Sequence, residues 1–165
     1  MKLNAELLTD APYKVKVSSV EGFYEFVTDY GVRYRVGFMT DDIIQSASSY
    51  DFFIANVNCK SSPGDVKVRE TILVILDAFF RCNNDVLLYI CETADGKQVM
   101  RNRLFQSWFS MYQRKSMVTV LSSSVKDAEG VVNYATIIIR NDNSKLKEVI
   151  EEFTNTIMML SVKPE

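Results

Sequence analysis

The sequence predicts an α+β fold: a single antiparallel sheet of about six to seven strands, with three helices packed mainly on one face. Three observations carry this. Runs of period-2 alternation joined by tight-turn signals stand in both halves of the 165-residue chain. Stretches of helical periodicity follow them. No linker, repeat or low-complexity tract divides the chain, so one domain over residues 1–165 is expected.

The elements follow in order. YKVKV (13–17) sets Tyr13, Val15 and Val17 against Lys14 and Lys16, the alternation of a half-solvated strand. FYEFVTDYGVRYRVGFM (23–39) reads as a hairpin turning at Asp29-Tyr30-Gly31. On its return strand Val32, Tyr34, Val36 and Phe38 share one face and Arg33 and Arg35 the other, and with Lys14 and Lys16 these arginines form an exposed basic face if the strands pair. The polar stretch 40–51 leads to an apolar strand at 52–57. Pro63-Gly64-Asp65 closes the next loop, and Asp65 N-caps a helix over 66–82 that is apolar nearly all round, a sign of burial. VLLYICET (86–93) reads as a buried strand. Strands at 117–124 and 131–140, turning over Asp127–Gly130, precede a closing helix in which Leu146, Val149, Ile150, Phe153 and Ile157 recur at helical spacing, capped by Asn143 or Ser144.

Composition removes several chemistries. With 47% hydrophobic and 12% aromatic residues the chain can build a core, and its net charge of −2 gives no global attraction to nucleic acid or acidic membranes. There is no histidine, which excludes Ser-His-Asp and Cys-His catalysis and mixed Cys/His zinc sites. Three irregularly spaced cysteines, Cys59, Cys82 and Cys91, make no disulfide framework and suit a reducing compartment; Cys82 and Cys91 are expected in the core. No phosphate-loop motif occurs. The first residues lack a signal-peptide core, and the most apolar run, TILVILDAFF (71–80), is broken by Asp77. Expected are a cytoplasmic location, no membrane partner, no cofactor and no resident metal. Asp41-Asp42 with Asp51 form a solvated carboxylate group rather than a metal site.

The stretch DGKQVMRNRLFQSWF (95–109) raises the functional question. Asp95 and Gln98 have capping-box spacing. On a helical wheel Met100, Leu104, Phe105, Trp108, Phe109, Met111 and Tyr112 share one half. Arg101 falls inside that apolar half, beside Lys97. It is either a structural partner, with Glu92 as the nearest candidate carboxylate, or an anchor for a carboxylate or phosphate. Asp95-Gly96 is also a hairpin signal, so a short strand at 97–101 is the local alternative. Arg69 sits in the same way near the start of the first helix; the two arginines either share an anion pocket or make separate ion pairs with Glu70, Asp77 or Glu92. Residues 96–126 hold six of the 19 basic residues (Lys97, Arg101, Arg103, Arg114, Lys115 and Lys126) and none of the 21 acidic ones, a segregation suited to an acidic partner.

The pattern Tyr24-Glu25-Phe26-x-Thr28, Gly31, Tyr34-x-Val36-x-Phe38, Arg69-x-Thr71-Ile72 and Asp95-Gly96…Arg101-x-Arg103-Leu104-Phe105-x-x-Trp108 resembles an uncharacterised family of small bacterial proteins. The resemblance covers most of the chain. It implies a cytoplasmic bacterial protein and assigns no catalytic residue. The functional expectation is a non-enzymatic protein that binds an acidic protein or small anionic ligand through segment 96–126, with Arg101, Arg69, Lys97, Arg103 and Trp108 as ligand-facing residues. The alternatives are an enzyme acting on phosphorylated or nucleic-acid substrates and a nucleic-acid-binding regulator. The sequence does not address homo-oligomer formation.

Overall fold

The computed structural model describes residues 1, 3–91 and 93–161. Among the described residues seven strands and three α-helices follow in order: β1 (Lys16–Val17), β2 (Phe23–Val27), β3 (Arg33–Thr40), β4 (Ser49–Asn56), α1 (Val66–Cys82), β5 (Val86–Ile90), α2 (Gln98–Ser110), β6 (Val118–Lys126), β7 (Val132–Arg140) and α3 (Leu146–Ser161). The strands form one seven-stranded sheet in the order β1-β2-β3-β4-β5-β7-β6, an α+β fold. One pairing departs from the expected antiparallel sheet: β4 and β5 run parallel, Ser49–Asp51 beside Val86–Leu88, with α1 as the connection. A parallel pair needs a crossover this long, and a helix supplies it. Contacts divide the chain into two compact units, Met1–Met39 with Phe52–Asn84, and Thr40–Asp51 with Asp85–Glu165.

In the first unit β2 and β3 form the expected hairpin, with Gly31 at φ +75° in its turn. Alternation buries Tyr24, Phe26, Val36 and Phe38, and Phe38 stacks on Phe79 of α1 at 4.9 Å. The strand expected over 13–17 shortens to Lys16–Val17 because Tyr13 is drawn into the core. Its ring stacks on Phe26 at 5.9 Å, and its hydroxyl donates to Asp65. Asp65 caps α1 as expected, accepting from the Lys67 amide at 3.0 Å. One side chain thereby ties strand packing to the helix start. Cys82, expected in the core, is exposed: it is the last residue of α1, past the buried Phe79 and Phe80.

In the second unit β7 is paired on both sides, by β5 and β6. The register places Leu88, Ile137 and Leu121 on one face and Leu87, Ile138 and Val120 on the other. α3 covers the first face, where Val149 and Phe153 join Ile44, Val86, Leu88, Ile137 and Ile139. α2 covers the other, through Phe105 stacked on Tyr89. These two helices therefore take opposite faces, a detail that hydrophobic periodicity does not carry. Asn143 opens α3, accepting from the Lys145 amide at 2.8 Å.

The polar stretch before β4 is held by a contact that sequence patterning places outside. Glu152 of α3 accepts from the Gln45 amide at 2.6 Å, the Ser46 amide at 2.9 Å and the Ser46 hydroxyl. This staple keeps Ile44 buried in the core. Burial alone would raise the Glu152 pKa, but these bonds outweigh it and lower it. The stabilisation is therefore present above the ordinary carboxylate pKa and fades as pH falls through the lowered value. Glu152→Ala is expected to cost about 1–2 kcal/mol at pH 7, and less at pH 3, as read by urea unfolding; an equal cost at both pH values would contradict a carboxylate staple.

Asp51 behaves oppositely. Burial, then the neighbouring Asp41 charge, raises its pKa to about 6. The folded state thus binds the proton more tightly than the unfolded chain, and stability is lost as pH rises through about 6. Asp51→Asn is expected to stabilise the protein at pH 8 by on the order of 1 kcal/mol, allowing for partial solvent screening. The gain should vanish near pH 4, as checked by thermal melts across that range.

Candidate functional site

The region singled out by the sequence folds as a turn followed by a helix, not a strand. Gly96 takes φ +70°, a left-handed conformation natural to glycine, and its amide donates to the Thr93 carbonyl at 3.0 Å. α2 then starts at Gln98 with Lys97 as its N-cap and no side-chain cap. The capping box expected from Asp95 and Gln98 does not form. Asp95 instead accepts from the Lys97 amide at 3.1 Å, closing its own turn. Gln98 is buried and its side-chain amide donates to the Val132 carbonyl at 3.1 Å, an anchor into β7; its Oε1 is buried with no hydrogen-bond partner among the described residues.

Arg101 meets Asp95. Its two terminal nitrogens reach the two carboxylate oxygens at 2.7 and 2.5 Å, a fork-to-fork pair. The Asp95 pKa falls to about 2, first through the Arg101 hydrogen bonds and then through the Lys97 amide. Both partners are partly exposed, so the pair organises the turn more than it stabilises the fold. Glu92, the carboxylate first considered as its partner, lies outside the described residues.

The orientation of α2 is set by aromatic packing. Phe105 stacks on Tyr89 with 4.1 Å between ring centroids, and Phe109 and Tyr112 continue the row at 6.1 and 5.2 Å. Gln106 fixes the same rotation by donating to Ser122 and Thr136 at 2.8 and 3.0 Å. Phe109 lies about 180° from Met100 on the helix, so burying the phenylalanines turns the other side outward. Met100, Leu104 and Met111 are 69, 50 and 54% exposed, and Trp108 is half-buried. Lys97 and Arg103 are exposed beside them. A shallow depression of about 470 Å³ is lined by Lys97, Met100, Arg101, Arg103 and Leu104.

Four of the five residues singled out from the sequence thus gather on or beside one face of α2: Lys97, Arg101, Arg103 and Trp108. Arg69 belongs to the first unit. Its Nε is buried with no hydrogen-bond partner, and no ion pair to Glu70 or Asp77 is seen among the described residues; Asp77 pairs instead with Arg81 at 3.8 Å. The residues that wheel analysis missed are Met100, Leu104 and Met111 as surface, and Gln98 and Gln106 as anchors. The wheel shows a broad apolar half but not which part of it meets the sheet.

Elsewhere, the Asp41 carboxylate is occupied by the Ile43 and Ile44 amides and the Ser49 hydroxyl. Among the described residues no group of three or more Cys, Asp or Glu is arranged to hold a metal ion, and no helix is long and apolar enough to cross a membrane.

If the Arg101–Asp95 fork serves the turn, Arg101→Met should leave the thermal midpoint near that of the parent chain while raising hydrogen exchange at the Lys97 amide. A loss of midpoint as large as that of a core truncation would contradict this assignment.

No curated protein and no solved structure matches the chain. A family model does match, over residues 64–155, which span α1, β5, α2, β6, β7 and most of α3. The chain belongs to that family, described as a family of unknown function (DUF6169).

Proposed function

We propose that the protein is a non-enzymatic binding protein that captures an acidic, partly apolar partner segment on the outward face of α2. The observation that carries this reading is the exposure of Met100, Leu104 and Met111 between basic side chains. An apolar stripe left in water on a folded helix is a docking surface when a partner covers it. Methionine suits the role, because its flexible thioether moulds to varied surfaces. Lys97 and Arg103 would stand at the rim, where charge steers encounter and selects acidic partners more than it adds affinity. Arg101, with Asp95 across its fork, would present a compensated pair at the edge.

Two further cations of the basic segment are in exposed positions. Lys115 is turned back on the end of α2, donating to the Ser110 carbonyl at 2.9 Å, and Lys126 ends β6 in an exposed position. A bacterial cytoplasmic setting belongs to the same reading. It is supported by the resemblance seen in the sequence and by three cysteines that stand unbridged.

Placing a photo-crosslinking residue at Leu104 in the full chain tests the reading. The expected result is a discrete set of acidic cross-linked proteins that weakens as salt is raised, and that Arg103→Gln combined with Met100→Ser reduces by at least about tenfold, in keeping with loss of central apolar contacts. An equal yield from the same probe at Lys147 of α3, or from the double variant, would sink the proposal.

A further inference from the structure

We propose that the outward sheet face of the first unit binds single-stranded nucleic acid. This rests on residues outside α2 and is independent of the reading above. Pairing places Lys16 opposite Glu25 and Glu25 opposite Arg35, so the three side chains form one row across β1, β2 and β3, roughly 10 Å wide. Since Tyr24, Phe26 and Val36 point into the core, Phe23, Glu25, Val27, Arg33 and Arg35 point the other way. The core partner of this hairpin, α1, lies on the buried side, where Phe79 stacks on Phe38.

The charge of this face departs from that of the chain. Glu25 is the one carboxylate in the row, and both arginines share it: Arg35 at 2.7 Å and Arg33 at 3.6 Å. That sharing holds two guanidinium groups in place while leaving each partly exposed, by 42 and 52%. Lys14 and Lys16 have no ion-pair partner among the described residues and are exposed. With Glu25, Phe26, Val27 and Arg33 they line a depression of about 460 Å³. Four cations set against one carboxylate form a positive patch in a chain whose net charge is −2, and such patches track phosphates.

An aromatic platform adjoins the cations. Phe23 stands opposite Gly37, and a Cβ built at Gly37 would come within 3.1 Å of three atoms of the Phe23 ring. The glycine therefore lets that ring lie down on the sheet, with the Phe53 ring 6.4 Å away in edge contact. Both rings are half-buried. The Phe53 ring is inclined 64° to that of Phe23, so Phe23 supplies the flat face; a flat ring beside a basic row is what an unpaired base stacks on, whereas a duplex keeps its base faces hidden.

Fluorescence anisotropy of the full chain with a labelled mixed-sequence 20-nucleotide RNA, and with the matching DNA, tests this. Binding is expected at 50 mM salt, with log K falling against log salt at a slope of about −2 to −3 for three to four phosphate contacts. Lys16→Gln with Arg33→Gln should weaken binding at least about tenfold and make the slope shallower by about 1.4. Phe23→Leu should lower affinity on the order of tenfold with the slope unchanged, its fold checked by circular dichroism; the surface lysine and arginine variants give an answer even if that one misfolds. Lys147→Gln on the exposed side of α3 should change nothing. The proposal is overturned by any of these results: no binding at 50 mM salt, parent-like binding by the Lys16/Arg33 variant, tighter binding to duplex than to single strand, or competition by inorganic polyphosphate as strong per charge as by the oligonucleotide.

Discussion

Stacking of Phe105 on Tyr89, with 4.1 Å between centroids, fixes the rotation of α2, and the surface of the second unit follows from that rotation. Phe105, Phe109 and Tyr112 are buried, and aromatic side chains are among the largest contributors to a core. Burying them sends Met100, Leu104 and Met111 outward. Gln106 locks the choice, because its amide reaches Ser122 and Thr136 only in this orientation. Gln98 locks it again at the helix start, through the Val132 carbonyl. The face offered to a partner is thus a by-product of how the helix is seated.

The same logic explains the arginine in the apolar half of the wheel. Rotation leaves Arg101 at the margin between buried and exposed sides, its side chain 36% exposed. From there it reaches Asp95 in the preceding turn, which the positive φ of Gly96 brings back toward the helix. Two other ion pairs close locally in the same way, whereas Glu25 with Arg33 and Arg35, and Asp29 with Lys67, join separate elements. Arg81 meets Asp77 one helical turn away, and Arg140 meets Asp142 two residues on.

Charged groups also hold the less regular parts of each unit. Asp65 both caps α1 and accepts from Tyr13, so the helix start and the aromatic core of the first unit are built together. Glu152 serves the second unit by gathering two amides and a hydroxyl from residues 45 and 46. A carboxylate facing several backbone donors is charge-assisted and directional. This explains how a segment as polar as 40–48 can stay ordered against α3 and keep Ile44 inside.

Much of the fold was legible in the sequence because local physics decides it. Helical periodicity and an aspartate cap placed α1 at Val66–Cys82. Period-2 alternation and a turn glycine placed the β2–β3 hairpin, with Arg33 and Arg35 on its outer side. The pair Asn143-Ser144 marked the start of α3, and the structure uses Asn143. Contacts between residues distant in sequence decided the rest, and they leave no periodic trace. The parallel β4–β5 pair, the loss of Tyr13 from its strand, the Glu152 staple and the opposite faces taken by α2 and α3 are of this kind. So is the candidate site: the sequence by itself determined that α2 carries an apolar arc and basic side chains, but only the seating of Phe105 against Tyr89 decided which of those residues meet water. A wheel records angles about one axis; burial depends on what the other elements bring to it.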